Sequence, residues 1–234
     1  IFYEVIIMTK ELFQQYSILV DYLGKVLGPD YEIVLHDLTQ SNKEVVAIAN
    51  GHISGRTVGS PLTNTALCLI KSKAYMNEDF LINYNGETEN GHMIRSSTMF
   101  IKNSHGILEG LLCINFDDSR FSNLSRRLFE LIHGSAFVHT IQDEPAVQLS
   151  VPFSLSSAER FPTDIAKLMQ QIFEDVMKDI KTPPERLTQE EKITIISQLD
   201  KHGLFRLKGA IPFTAKHLAC SSSSIYRYLK TLEH

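Results

Sequence analysis

Between Ile211 and Leu232 the stretch IPFTAKHLACSSSSIYRYLKTL can bury its apolar residues only as two short helices packed across a tight turn. Ala215 and Leu218 supply small and apolar packing positions on the first helix, and Ile225 and Leu229, four apart, share one face of the second. Ser221 falls at an N-cap position, where its hydroxyl accepts from a backbone N–H one turn on and starts the second helix after Ala219 and Cys220 close the turn. The opposite face carries Ser222, Ser223, Ser224, Tyr226, Arg227 and Lys230. Hydroxyls, cations and an aromatic ring suit phosphates and base edges, so these six are the candidate DNA-binding residues.

The spacing resembles the helix-turn-helix of bacterial repressors: a small residue, an apolar one three later, a turn ending in Ser, then an apolar residue and Arg. The competing explanation is an ordinary helical hairpin. One position departs from the pattern, because Ala219 stands where such repressors usually have Gly. The turn then needs a non-glycine residue at an unusual backbone angle, or a different loop.

Charge separates this end from the rest. From Lys201 to His234 there are six lysines and arginines against one acid, Glu233, a net of +5 in a chain of net −4, which leaves −9 on the other 200 residues. The basic footprint therefore coincides with the proposed reader. At 234 residues and 43% apolar content, the chain fits two folded domains and a connector. Cys68, Cys113 and Cys220 lie too far apart for a paired zinc or disulfide spacing and read as buried small hydrophobes of a reducing cytoplasm. No apolar run reaches membrane-spanning length and the first residues lack the pattern of a signal peptide, so no membrane partner and a cytoplasmic location are expected. Met8 heads a better helix than Ile1, which makes residues 1–7 candidates for sequence upstream of the natural start.

Along the chain, helical periodicity from Lys10 to Leu27 stops at Gly28-Pro29. Strands are expected over Tyr31 to Leu38 and Val45 to Asn50, with a turn at Ser41 to Lys43. Gly51, Gly55 and Gly59 punctuate the next segment, Thr63 to Lys73 suits a short helix, and Tyr84 to Gly91 reads as turn chemistry. Met93 to Lys102 and Gly110 to Phe116 form a hairpin around Asn103 to Gly106, followed by a helix from about Ser122 to Thr140. The fold class is α+β, an N-terminal domain with an antiparallel sheet and a small all-α domain behind it.

That order resembles the PAS sensor fold in its YheO-like branch, which includes the regulator of D-arginine utilisation. The blocks that carry the resemblance are YEIVLHDL, IANGHISGRTVGSPLT, GHMIRSSTMFIKNSHGILEGLLCINFDD and LTQEEKITIISQLDKHGLFRLKGAI, followed by the helix-turn-helix. The resemblance covers most of residues 10–234. It implies a bacterial transcriptional regulator with an N-terminal sensor. The expected division is an N-terminal segment at 1–9, a PAS-like sensor at 10–140, a connector with an amphipathic helix at 141–184, and a helix-turn-helix domain at 185–234.

Within the connector, Glu144 to Phe161 has prolines, serines and little periodicity. Ile165, Leu168, Met169, Ile172, Phe173, Val176 and Ile180 then form an apolar stripe that must be buried, either against its own chain or in a dimer. Thr188 and Glu191 form a capping box that opens the reader domain.

No catalytic constellation is present in the sequence: no glycine-rich phosphate loop, no HExxH and no Gly-x-Ser-x-Gly elbow, so no catalytic residue, metal site or cofactor is assigned. The second site is the sensor cavity. Alternate strand residues face inward, so Arg95, Ser97 and Met99, or else Ser96 and Thr98, line it with Asn115. Asn50, Arg56 and Thr63 offer a polar rim, with Arg56 able to pair with the carboxylate of an amino acid or organic acid. His36 and His52 flank the strands and join the set on the strength of the family resemblance. The candidate ligand-binding residues are thus His36, Asn50, His52, Arg56, Thr63, Ser96, Thr98 and Asn115. The alternative is that these groups only satisfy buried backbone. The partners expected are a double-stranded DNA operator, a small-molecule effector and a second copy of the chain, since two recognition helices one DNA turn apart read a two-fold operator. The competing class is a small-molecule enzyme or binding protein with a structural helical C-terminus; a third is an adaptor acting through the apolar stripe.

Overall fold

The computed structural model describes residues 10–39, 44–88, 91–133, 159–180 and 182–232. The proposed upstream segment, the Ser41 to Lys43 turn, the end of the helix expected to reach Thr140 and residues 141–158 of the connector lie outside them.

Helix α1 (Lys10–Leu27) precedes β1 (Tyr31–Asp37) and β2 (Val45–Ala49). Then come α2 (Asn64–Lys71), the strands β3 (Phe80–Glu87), β4 (Met93–Lys102) and β5 (Leu108–Phe116), and α3 (Ser119–His133). The strand order is β2-β1-β5-β4-β3-β6, where β6 is the short Glu159–Arg160. Neighbours are antiparallel except β3 and β6, which run parallel.

Period-two alternation gives the sheet two distinct faces. Ile33, Leu35, Ile101 and Leu112 point to one side and bury Val20, Leu19 and Leu23 of α1. That helix can come so close because residue 24 is glycine: a Cβ there would stand 2.4 Å from Cβ of Ala49. On the other side Val34, Phe100, Leu111 and Cys113 join the core shared with α2 and the C-terminal helices.

Two expectations are corrected. The Tyr84 to Gly91 segment, rich in Asn and Gly, begins inside β3, because Tyr84 and Gly86 pair with Ser96 and Ile94 of β4 and sheet hydrogen bonding overrides local turn propensity. The connector is not irregular to its end, since Glu159 and Arg160 add an edge strand beside Gly86 and Glu87.

The C-terminal part holds α4 (Ile165–Met177), α5 (Gln189–Lys201), α6 (Ala210–His217) and α7 (Ser222–Leu232). Asp164 caps α4, and Thr188 with Glu191 forms the reciprocal capping box of α5. The stripe on α4 is buried within the same chain: Leu168, Met169, Ile172, Phe173 and Val176 belong to one continuous core running from Val34 of the sheet to Ile225 and Tyr228 of α7. Phe173 meets Phe213 and His217 of α6 at ring distances of 5.9 and 5.1 Å. Of the three cysteines, Cys113 is buried while Cys68 and Cys220 are half-exposed. Among the described residues no helix is long and apolar enough to cross a membrane.

Candidate functional site

The helix pair forms as its sequence requires. Ala215, Leu218, Ile225 and Tyr228 are buried, and Ser221 Oγ accepts from the Ser224 backbone N–H at 3.1 Å. Ala219 takes the left-handed conformation, φ 48°, which a glycine would adopt without strain. Ser222, Ser223, Tyr226, Arg227 and Lys230 are exposed on one side of α7, with Ser224 half-buried at its start. The Arg227 guanidinium lies 5.3 Å from the centroid of the Tyr228 ring, which supports its stem while leaving it exposed.

The second constellation is inside the sheet domain. Glu32 and His36 of β1, Ser96 and Thr98 of β4, and Cys113 and Asn115 of β5 all occupy the inward parity, so Arg95, Ser97 and Met99 face away. Ser54 and Arg56 come from the loop after β2, Thr63 from the cap of α2, Tyr84 from β3 and Glu159 from β6. The ion pair between Arg56 Nη2 and Glu32 Oε2, 3.0 Å long, is almost wholly shielded from solvent. Arg56 Nε donates to Ser54 Oγ at 3.0 Å, and Ser54 Oγ donates to the other Glu32 oxygen at 2.5 Å. Asn115 Nδ2 donates to Glu32 Oε2 at 2.6 Å. The guanidinium also rests 4.8 Å from the Phe161 ring centroid.

Next to this pair stands another carboxyl. Thr63 Oγ1 donates to Glu159 Oε1 at 2.6 Å, while its own oxygen accepts from Ala66 N at 3.0 Å and so starts α2. Burial raises the Glu159 pKa above its usual value, against the opposing pull of Thr63, Arg56 and Ser96. Tyr84 and Thr98 hydroxyls lie 2.7 Å apart, and Thr98 lies 3.3 Å from the Cys113 thiol, which burial pushes up to about 12. His36 is pulled down to about 3, first by burial and then by Arg56, so its ring is neutral. Four buried atoms of this cluster make no well-formed hydrogen bond, His36 Nδ1, Ser96 Oγ, Asn115 Oδ1 and Glu159 Oε2, with the Ser96 hydroxyl standing near enough to Glu159 to favour its ionised form.

Six of the eight residues expected in the cavity are brought together here: His36, Arg56, Thr63, Ser96, Thr98 and Asn115. Asn50 and His52 are not. Asn50 Nδ2 donates to the carbonyls of Gly24, Gly28 and Tyr31 and fastens the end of α1, while His52 is exposed. Arg56, expected to meet a ligand carboxylate, already holds the protein's own Glu32. Sequence reasoning missed Glu32, Ser54, Tyr84, Cys113 and Glu159. Glu32 shares parity with Val34 and His36 and was recoverable from alternation; Glu159 arrives from outside the helix-strand pattern with no local signal. Among the described residues no group of His, Cys, Asp and Glu is arranged to hold a metal ion.

The cluster and the reader are linked by α2. At its far end Lys71 Nζ lies 2.6 Å from Asp200 of α5. In the middle, a Cβ added to Gly203 would stand 3.2 Å from Leu67 Cβ, so the turn after α5 lies against α2. Arg160 N donates to Asn64 Oδ1 at 2.7 Å, and Arg160 Nη1 meets both Asp175 oxygens at 2.9 Å, tying β6 to α2 and α4.

A sequence model of the YheO-like PAS domain matches residues 8–133, and a helix-turn-helix domain model matches residues 168–230. The protein YheO of Escherichia coli K12 is 28% identical over 221 residues, covering 94% of this chain and 84% of that protein. A protein of Haemophilus influenzae is 25% identical over 224 residues, covering 96% and 92%. The transcriptional regulator DauR of Pseudomonas aeruginosa is 22% identical over 220 residues, covering 94% of each.

Proposed function

The chain belongs to the family of YheO-like PAS domain proteins, and from that premise we propose that it is a transcriptional regulator whose PAS domain takes a small polar effector and thereby controls operator binding by α7. The PAS and helix-turn-helix matches, with a transcriptional regulator among the relatives, support the regulatory class. The effector site is the cluster around Glu32, Arg56, Asn115 and Glu159, together with His36, Thr63, Ser96 and Thr98. The DNA contacts are Ser222, Ser223, Ser224, Tyr226, Arg227 and Lys230, with the N-terminal turn of α7 toward the major groove.

The observation that carries this function is the span of α2. Its cap, Thr63, is hydrogen-bonded to Glu159, and its last residue, Lys71, is ion-paired to Asp200 on the first helix of the reader. An effector that changes the partners of Glu159 acts on the start of a rigid eight-residue rod whose end touches the reader. Differential contact with two poses of that rod is the free energy that shifts DNA affinity. The working form is a cytoplasmic homodimer on a two-fold operator.

The test is a gel shift of the full chain on the DNA upstream of its own gene, with nonspecific competitor, repeated across a library of amino acids and organic acids. A specific band whose midpoint moves with one compound is the expected result. A protein whose C-terminal helices are purely structural gives no specific band, and light scattering that finds only a monomer removes the two-fold operator.

A further inference from the structure

We infer that the effector site receives the ammonium group of a small primary amine, gripped by Ser96 Oγ, Asn115 Oδ1 and Glu159 Oε2. This rests on the sensor reading above and gives it a ligand chemistry.

The three atoms are buried and lack a well-formed hydrogen bond, on side chains exposed by no more than 3%, and the Ser96 hydroxyl stands beside the Glu159 carboxyl. They belong to one neighbourhood: Ser96 and Asn115 are directly opposed across β4 and β5, and Ser96 opposes Tyr84, two residues from the Gly86 that pairs with Glu159. A Cβ on Gly86 would fall 2.9 Å from both Ser96 Oγ and the Phe161 ring, so only glycine lets these groups pack this closely beside Glu159. The orientation of Asn115 is fixed by its neighbour. Its Nδ2 donates to Glu32 at 2.6 Å, and reversing the amide would set oxygen against carboxylate, so the orphaned atom is an acceptor.

A hydroxyl, an amide oxygen and a carboxylate oxygen form a receiving set. An alkylammonium carries three N–H donors and no acceptor, which matches three such atoms in number and polarity. A ligand carboxylate fits poorly, because Glu32 already occupies Arg56 and Glu159 would repel it. The charges agree: Arg56 offsets Glu32, and an ammonium offsets Glu159. The cation favours the ionised form of a carboxyl whose pKa burial raises, so binding strengthens as pH rises through the Glu159 titration.

The experiment is thermal melting of the full chain at fixed ionic strength against primary amines, from propylammonium through diamines to amino acids. Each is paired with the carboxylate and the alcohol of the same carbon skeleton. A saturable rise in melting temperature with an amine, absent with its partners, is expected. The apparent Kd should weaken about tenfold or more in Glu159→Gln, as loss of a charge-assisted contact requires. Should that variant fail to fold, Ser96→Ala must weaken the same amine by a smaller factor. Stabilisation by carboxylates or alcohols alone overturns the ammonium assignment and leaves the sensor standing. An amine response unchanged in both variants also overturns it, and no response to any compound takes the sensor reading down with it.

Discussion

Thr63 Oγ1 donates to Glu159 Oε1 across 2.6 Å, joining residues 96 apart in sequence, and the same hydroxyl oxygen caps α2 by accepting from Ala66 N. One side chain therefore belongs both to the buried cluster and to the helix that leads to the reader.

Replacing Thr63 by Val keeps the shape and deletes both bonds. Loss of the cap costs about 1 kcal/mol, and leaving Glu159 Oε1 buried without a donor adds about 1–3 kcal/mol. Urea denaturation should show the sum, with Thr63→Ser restoring most of it. A Val variant as stable as the parent would mean that the bond to Glu159 has no energetic weight.

His36 sets the acid limb of stability. Its folded pKa of about 3 lies below the ordinary histidine value of 6.5, so below pH 6.5 the unfolded chain binds the proton more readily. The stabilisation associated with its neutral state is full above 6.5 and is lost as pH falls toward 3, at up to about 1.4 kcal/mol per unit. Denaturation midpoints between pH 7 and 5 should fall less steeply in His36→Asn. Equal slopes in both proteins would show that the ring protonates without unfolding.

The strands with clean alternation were legible in advance because burial of one face leaves a period-two mark. Met93 to Lys102 carries it, Tyr31 to Asp37 instead shows the continuous apolar run of a strand buried on both faces, and α1 is bounded by periodicity and Gly28-Pro29. The strand Phe80–Glu87 was hidden because Asn85 and Gly86 are turn formers held in the ladder by tertiary pairing, and Asn83 sits in a bulge at φ 58°. The cluster was half legible for the same reason. Inward polar residues on known strands could be named as alternatives, whereas Glu159 depends on a two-residue parallel pairing that no local pattern announces.

Ala219 supplies a prediction of opposite sign. A non-glycine residue at φ 48° carries about 1–2 kcal/mol of strain, partly cancelled by the extra freedom glycine gives the unfolded chain. Ala219→Gly should stabilise the protein by about 0.5 kcal/mol, and β-branched Ala219→Val should destabilise it by more than about 1 kcal/mol. Thermal melts that reverse this order would indicate that the turn relaxes to another geometry when substituted.

Arg227 and Lys230 decide whether the exposed face of α7 is a DNA surface. Both are exposed, and neither has an ion-pair partner among the described residues. Removing either should leave folding within about 0.5 kcal/mol of the parent, as for other surface substitutions. Operator binding should respond in two separable ways. A side chain that neutralises a phosphate releases counterions, so its loss weakens binding on all sequences and makes the plot of log K against log salt shallower by about 0.9 per contact. A side chain bonded to a base edge instead costs about 1–3 kcal/mol on the operator alone and relaxes the preference at one position. Lys230, near the C-terminal end of α7, should follow the first pattern; Arg227, one turn closer to the N-terminus, is the better placed for the second. Fluorescence anisotropy at four salt concentrations, on operator and scrambled duplexes, separates them, and affinities of both variants equal to the parent throughout would remove α7 as the recognition helix.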